Sequence, residues 1–123
     1  MTDQTDASGG GCLTVVQWLA GNGGSTTQPA DNGSTPLWAA ALTGHLEVVR
    51  WLAGNGGSVT QPTYGGTTPL SAAACSGHLE VVQWLAGNGG SVTQPNNDGA
   101  TPLYVAAQMG HLEVVRWLVG NGG

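Results

Sequence analysis

Thr-Pro-Leu begins at Thr35, Thr68 and Thr101, and Gly-His-Leu-Glu-Val-Val begins at Gly44, Gly77 and Gly110. Both motifs recur at an interval of 33 residues, and the offset between them is constant. Whole structural units have therefore been copied, not isolated words. A period of this length specifies a stacked array, in which one unit cannot bury its apolar face alone and needs its neighbours. Such a chain offers an extended surface rather than a catalytic cleft.

Each unit can be read residue by residue from residues 30–62. Asp31-Asn32-Gly33-Ser34 is turn chemistry, with Asx side chains and a glycine free to take positive φ. Thr35 is placed to cap a helix and Pro36 to occupy its first position, where a missing N–H costs nothing. Leu37 and Ala39-Ala40-Ala41 predict a short helix whose small side chains admit a close neighbour, stopped by Gly44. A second helix is predicted from about His45 to Ala53, with Leu46, Val49 and Ala53 on one stripe and Val48 and Leu52 alongside. Glu47 lies in its first turn, where the helix dipole favours an anion. Gly54-Asn55-Gly56-Gly57 ends it, and residues 58–62 are an extended link.

This pattern resembles the ankyrin repeat, on the strength of Gly-Ser-Thr-Pro-Leu-Trp-Ala-Ala-Ala-Leu-Thr-Gly-His-Leu-Glu-Val-Val at residues 33–49 and its copies. The resemblance covers residues 11–123. It implies an all-α solenoid of helix pairs with β-hairpin-like loops along one edge, and a non-catalytic scaffold that binds another protein. The expected division is a flexible tail at 1–10, a partial repeat at 11–29 that has a second helix but no first, full repeats at 30–62 and 63–95, and a repeat at 96–123 lacking its closing loop.

The chain departs from the family pattern in places. The family's His after Thr-Pro-Leu is replaced by Trp38, Ser71 and Tyr104, which predicts loss of part of the hydrogen bonding between units. The Asp that opens the family's turn is replaced by Ala30, Thr63 and Asn96. The loop Asn that is a hydroxylation target in the family is Thr27, Thr60 and Thr93 here, so that modification does not carry over.

Units 30–62 and 63–95 differ at only eight positions, clustered in the turn and at the two ends of the first helix, together with Arg50/Gln83. In ankyrin proteins such positions line the concave face that meets partners. The resemblance therefore implies a partner-binding set of Asp31, Asn32, Ser34, Trp38, Leu42, Thr43, Tyr64, Thr67, Ser71, Cys75, Ser76, Asn97, Asp98, Tyr104, Gln108 and Met109. Trp38, Tyr64, Tyr104 and Met109 are the expected anchors, because aromatic and Met side chains supply much of the buried area at interfaces. A second aromatic row, Trp18, Trp51, Trp84 and Trp117, lies on the outer side of the second helices. It reads either as packing between units or as a strip that binds a partner or a sugar.

Composition narrows the function further. Only 7% of residues are charged, two of them cations, Arg50 and Arg116, and the net charge is −5. That balance opposes nucleic acid binding, which needs clustered Lys or Arg. No apolar run approaches the roughly 20 residues of a membrane span, and residues 1–11 have no apolar signal core. The default expectation is a cytoplasmic protein with Cys12 and Cys75 as free thiols. His45, His78 and His111 stand one unit apart, too far to share a metal, and Glu47, Glu80 and Glu113 are equally separated. No cofactor, metal or catalytic group is implied.

An alternative reading is structural: a fragment of a longer array, or a self-associating array that stacks end to end or forms a homo-oligomer, with no dedicated ligand. Repeat arrays need polar capping units, whereas the helix predicted at 13–20 has no partner helix and Leu103, Leu112, Val115 and Leu118 have no unit beyond them. Both ends are then expected to be adhesive, with the helix at 13–20 fraying first.

Overall fold

The structure, a computed structural model, describes residues 29–123. The expectations for the tail, the partial repeat, Cys12, Trp18 and the helix at 13–20 lie outside the described residues. Six helices follow in pairs: α1 (Pro36–Thr43) and α2 (Leu46–Gly54), α3 (Pro69–Ser76) and α4 (Leu79–Gly87), α5 (Pro102–Gln108) and α6 (Leu112–Gly120). No strand occurs among the described residues. The architecture is the all-helical repeat solenoid implied by the resemblance.

The start of every first helix follows from its Thr-Pro. Thr35, Thr68 and Thr101 are the N-caps, each hydroxyl accepting the backbone N–H three residues on at 3.1 Å. This satisfies an N–H that the first turn leaves without a partner. Gly44 ends α1 in the left-handed region at φ +84°, and the His45 N–H reaches back to the Ala40 carbonyl at 3.0 Å. That closure turns the chain directly into α2 and is repeated at Gly77.

Two boundaries of the second helix differ from expectation. His45, His78 and His111 are N-caps rather than helical residues, and their rings make no capping bond. Gly54 and Gly87 belong to their helices instead of stopping them. The stop falls one residue later: the Asn55 amide donates to the Trp51 carbonyl at 2.8 Å, Gly56 turns at φ +99°, and Gly57 N–H returns to Leu52 O at 2.8 Å. The expected extended link at 58–62 contains a bend in which Ser58 Oγ accepts from the N–H groups of Thr60 and Gln61.

First helices stack on first helices, and each packs on its own second helix; second helices touch one another more lightly. The burial pattern follows from this. α3, flanked on both sides, buries Pro69, Leu70, Ser71, Ala72, Ala73 and Ala74. α2 buries only a stripe, Val48, Val49 and Leu52. The Ala run lets the first helices approach closely, and the Leu and Val side chains of both helix types fill one continuous core. Trp51, Trp84 and Trp117 are half-buried and pack against that core. Leu118, expected at a bare end, is fully buried, because its own α5 covers it.

Candidate partner-binding surface

The turn before each first helix has the same construction. Gly33 N–H bonds to Ala30 O at 2.9 Å, Ala30 N–H to Ser34 O at 2.8 Å, and Gly33 takes φ +85°. This is a type I turn closed by a left-handed glycine, the geometry of a three-residue hairpin loop. It presents Asp31 and Asn32 at its tip, with the Asn32 side chain accepting from both the N–H and the hydroxyl of Ser34.

Adjacent tips are joined by backbone. Tyr64 N–H donates to Asn32 O at 3.0 Å, and Asn97 N–H to Gly65 O at 2.9 Å. Asn97 adds a side-chain bond to Tyr64 O at 2.9 Å. The Tyr64 ring lies over Gly33, so close that any side chain there would strike it, yet 72% of the residue stays exposed. The result is a braced row of tips with one face of an aromatic ring open to solvent. A cavity of about 340 Å³ opens beside Tyr64, lined also by Gly33, Thr35, Gly57, Ser58 and Gln61.

The structure sorts the sixteen residues of the implied set by exposure. Asp31, Asn32, Thr43, Tyr64, Asn97, Asp98, Tyr104, Gln108 and Met109 are exposed. Ser34, Trp38, Leu42, Thr67, Cys75 and Ser76 are half-buried, and Cys75 is unpaired. Ser71 is only 2% exposed and is removed from the reachable surface, packed between the first helices on either side. Trp38 bridges two units, its indole N–H donating to Thr67 O of the next unit at 2.9 Å. The departure from His at this position therefore keeps an inter-unit hydrogen bond there.

The histidine ladder is a joint between units, a role that the sequence pattern did not suggest. A Cβ at Gly44 would meet the His78 ring, and one at Gly77 the His111 ring. The signal was present, since every Gly-His pair recurs unchanged, but its partner lies one period away. Burial, aided by the charges of His111 and His45, lowers the His78 pKa from its ordinary value against an opposing hydrogen bond to the Leu42 backbone. Among the described residues no group of three His, Cys, Asp or Glu is placed to hold a metal ion. No helix among them is long and apolar enough to cross a membrane.

The family model described as ankyrin repeats (3 copies) matches residues 5–95 and 61–123. No curated protein matches the chain. Capped Thr-Pro helices, Gly-His joints, braced hairpin tips and a family match over nearly the full length lead to one conclusion: the chain belongs to the ankyrin repeat family.

Proposed function

We propose that this chain is a non-catalytic scaffold whose partner docks on the hairpin tips and the exposed ends of the first helices. Ankyrin repeats are generally protein-interaction scaffolds. The observation that carries the reading is the braced row. Asp31, Asn32, Tyr64, Asn97 and Asp98 project from tips tied by inter-unit backbone bonds, so little entropy is lost when a partner orders against them. Tyr64 is the central anchor, a large exposed ring resting against Gly33. Thr43 and Met109 extend the surface along the helix ends.

The test is affinity capture with the full chain and with a Tyr64→Ala/Met109→Ala double variant of matched melting temperature. A partner held by the parent and lost by the variant supports this face. A partner held equally by both removes it.

A further inference from the structure

The described tips and first helices carry two charged side chains, both acidic. The chain's only Lys or Arg residues are Arg50 and Arg116, and both lie on second helices, α2 and α6. The first helices α1, α3 and α5 contain no charged residue. What remains is Asp31 on the first tip and Asp98 on the third, both exposed. Neither carboxylate accepts a hydrogen bond or meets a cation among the described residues. On the second tip, between them, stands Tyr64, 72% exposed with its ring against Gly33.

This exposure belongs to the tips and not to the ends of the stack. Asp31, Tyr64 and Asn97 occupy one position of the unit, and Asn32, Gly65 and Asp98 the next. Tyr64 and Asn97 are exposed although the N–H of each is bonded to the tip before it. Asn32 and Gly65 are exposed although the carbonyl of each is bonded by the tip after it. A tip placed before Asp31 or after Asp98 would therefore leave either carboxylate at the surface.

We propose that the occupant of this surface is a basic segment of another protein, with an arginine whose guanidinium stacks on the open face of Tyr64 and further cations paired with Asp31 and Asp98. The inference rests on the docking face proposed above and names the chemistry of its partner. Charge complementarity carries it. A cationic segment meets two unpaired carboxylates and no repelling charge, whereas an acidic segment meets only like charge. An aromatic face attracts a cation through its quadrupole, and a guanidinium adds planar stacking to that attraction. Because both carboxylates are exposed, they act on encounter rate and are screened by salt.

The experiment is fluorescence anisotropy of the full chain with three labelled peptides, repeats of Arg-Gly-Ser, Lys-Gly-Ser and Glu-Gly-Ser. The arginine peptide is expected to bind, more weakly as salt rises, and a few-fold tighter than the lysine peptide; the glutamate peptide is expected not to bind. Tyr64→Leu keeps apolar bulk against Gly33 without a π face, and is expected to remove the preference for arginine over lysine. Asp31→Asn and Asp98→Asn are each expected to weaken the arginine peptide a few-fold. Glu80→Gln makes the same change of charge at an exposed site on α4, and is expected to leave the affinity unchanged. An arginine peptide that does not bind, or a glutamate peptide that does, overturns the proposal. Equal losses for Glu80→Gln and the two Asp variants also overturn it, because they assign the binding to net charge alone. A preference for arginine retained by Tyr64→Leu removes the ring from the contact. A captured partner that requires Tyr64 but is not displaced by the arginine peptide overturns the basic chemistry and leaves the docking face standing, whereas a partner indifferent to Tyr64 removes the face itself.

Discussion

Trp38 shows how one residue both departs from the family pattern and preserves its purpose. The position is legible as a change from His, and the consequence read from it is a lost inter-unit bond. The structure shows an indole long enough to reach Thr67 O at 2.9 Å. A sequence window contains no information on which carbonyl, 29 residues away, stands within reach, so the bond was illegible there. Trp38→Phe keeps most of the ring and deletes the donor. It is expected to cost about 1 kcal/mol in denaturant unfolding, the usual net worth of such a bond. No loss would mean that the bond does not contribute. Ser71, expected among the partner residues, illustrates the complementary limit. Its variation between units points to the surface, but the helices on both sides enclose it.

Element boundaries were legible where the chemistry is local. Thr-Pro fixed all three first-helix starts, because a cap and a proline act within one turn. Second-helix ends were less so. Gly54 and Gly87 read as stops, yet both are helical and nothing lies within 4 Å of a side chain placed there. Glycine in a helix interior costs up to about 1 kcal/mol relative to alanine. Gly87→Ala is therefore expected to stabilise the chain by roughly 0.5–1 kcal/mol, measured as a raised urea midpoint at unchanged slope. A lowered midpoint would mean that the helix end needs glycine for a reason other than its backbone conformation. Trp84 sits on the same helix, half-buried against the core, which favours packing as the role of the outer aromatic row.

At the scale of the whole molecule, the period alone specified a stack, and the stack was legible before any helix was. The joints were not, because each links residues a full unit apart. They also give the molecule a pH response. His78 has a folded pKa below its ordinary value, so the unfolded chain takes up a proton that the folded chain resists. Its contribution to stability is complete above the unfolded value of about 6.5 and is lost as pH falls from there through the lower folded value. Melting temperature is expected to drop between neutral and mildly acidic pH, and His78→Gln to drop less. An equal drop in both would assign the effect to other groups.

The central claim is that neighbouring units lock through these joints, so that the tips form one braced surface. Gly77 and Gly110 test it most directly. Both have φ +80°, but only Gly77 faces a ring, that of His111. Alanine at either site bears the left-handed backbone cost of about 1–2 kcal/mol, and at Gly77 it must also displace the histidine. The measurement is the melting of Gly77→Ala against Gly110→Ala at a concentration where both are monomeric. Locked joints predict a clearly larger loss for Gly77→Ala. Equal losses would contradict them, because the Gly-His contact would then not hold the units together.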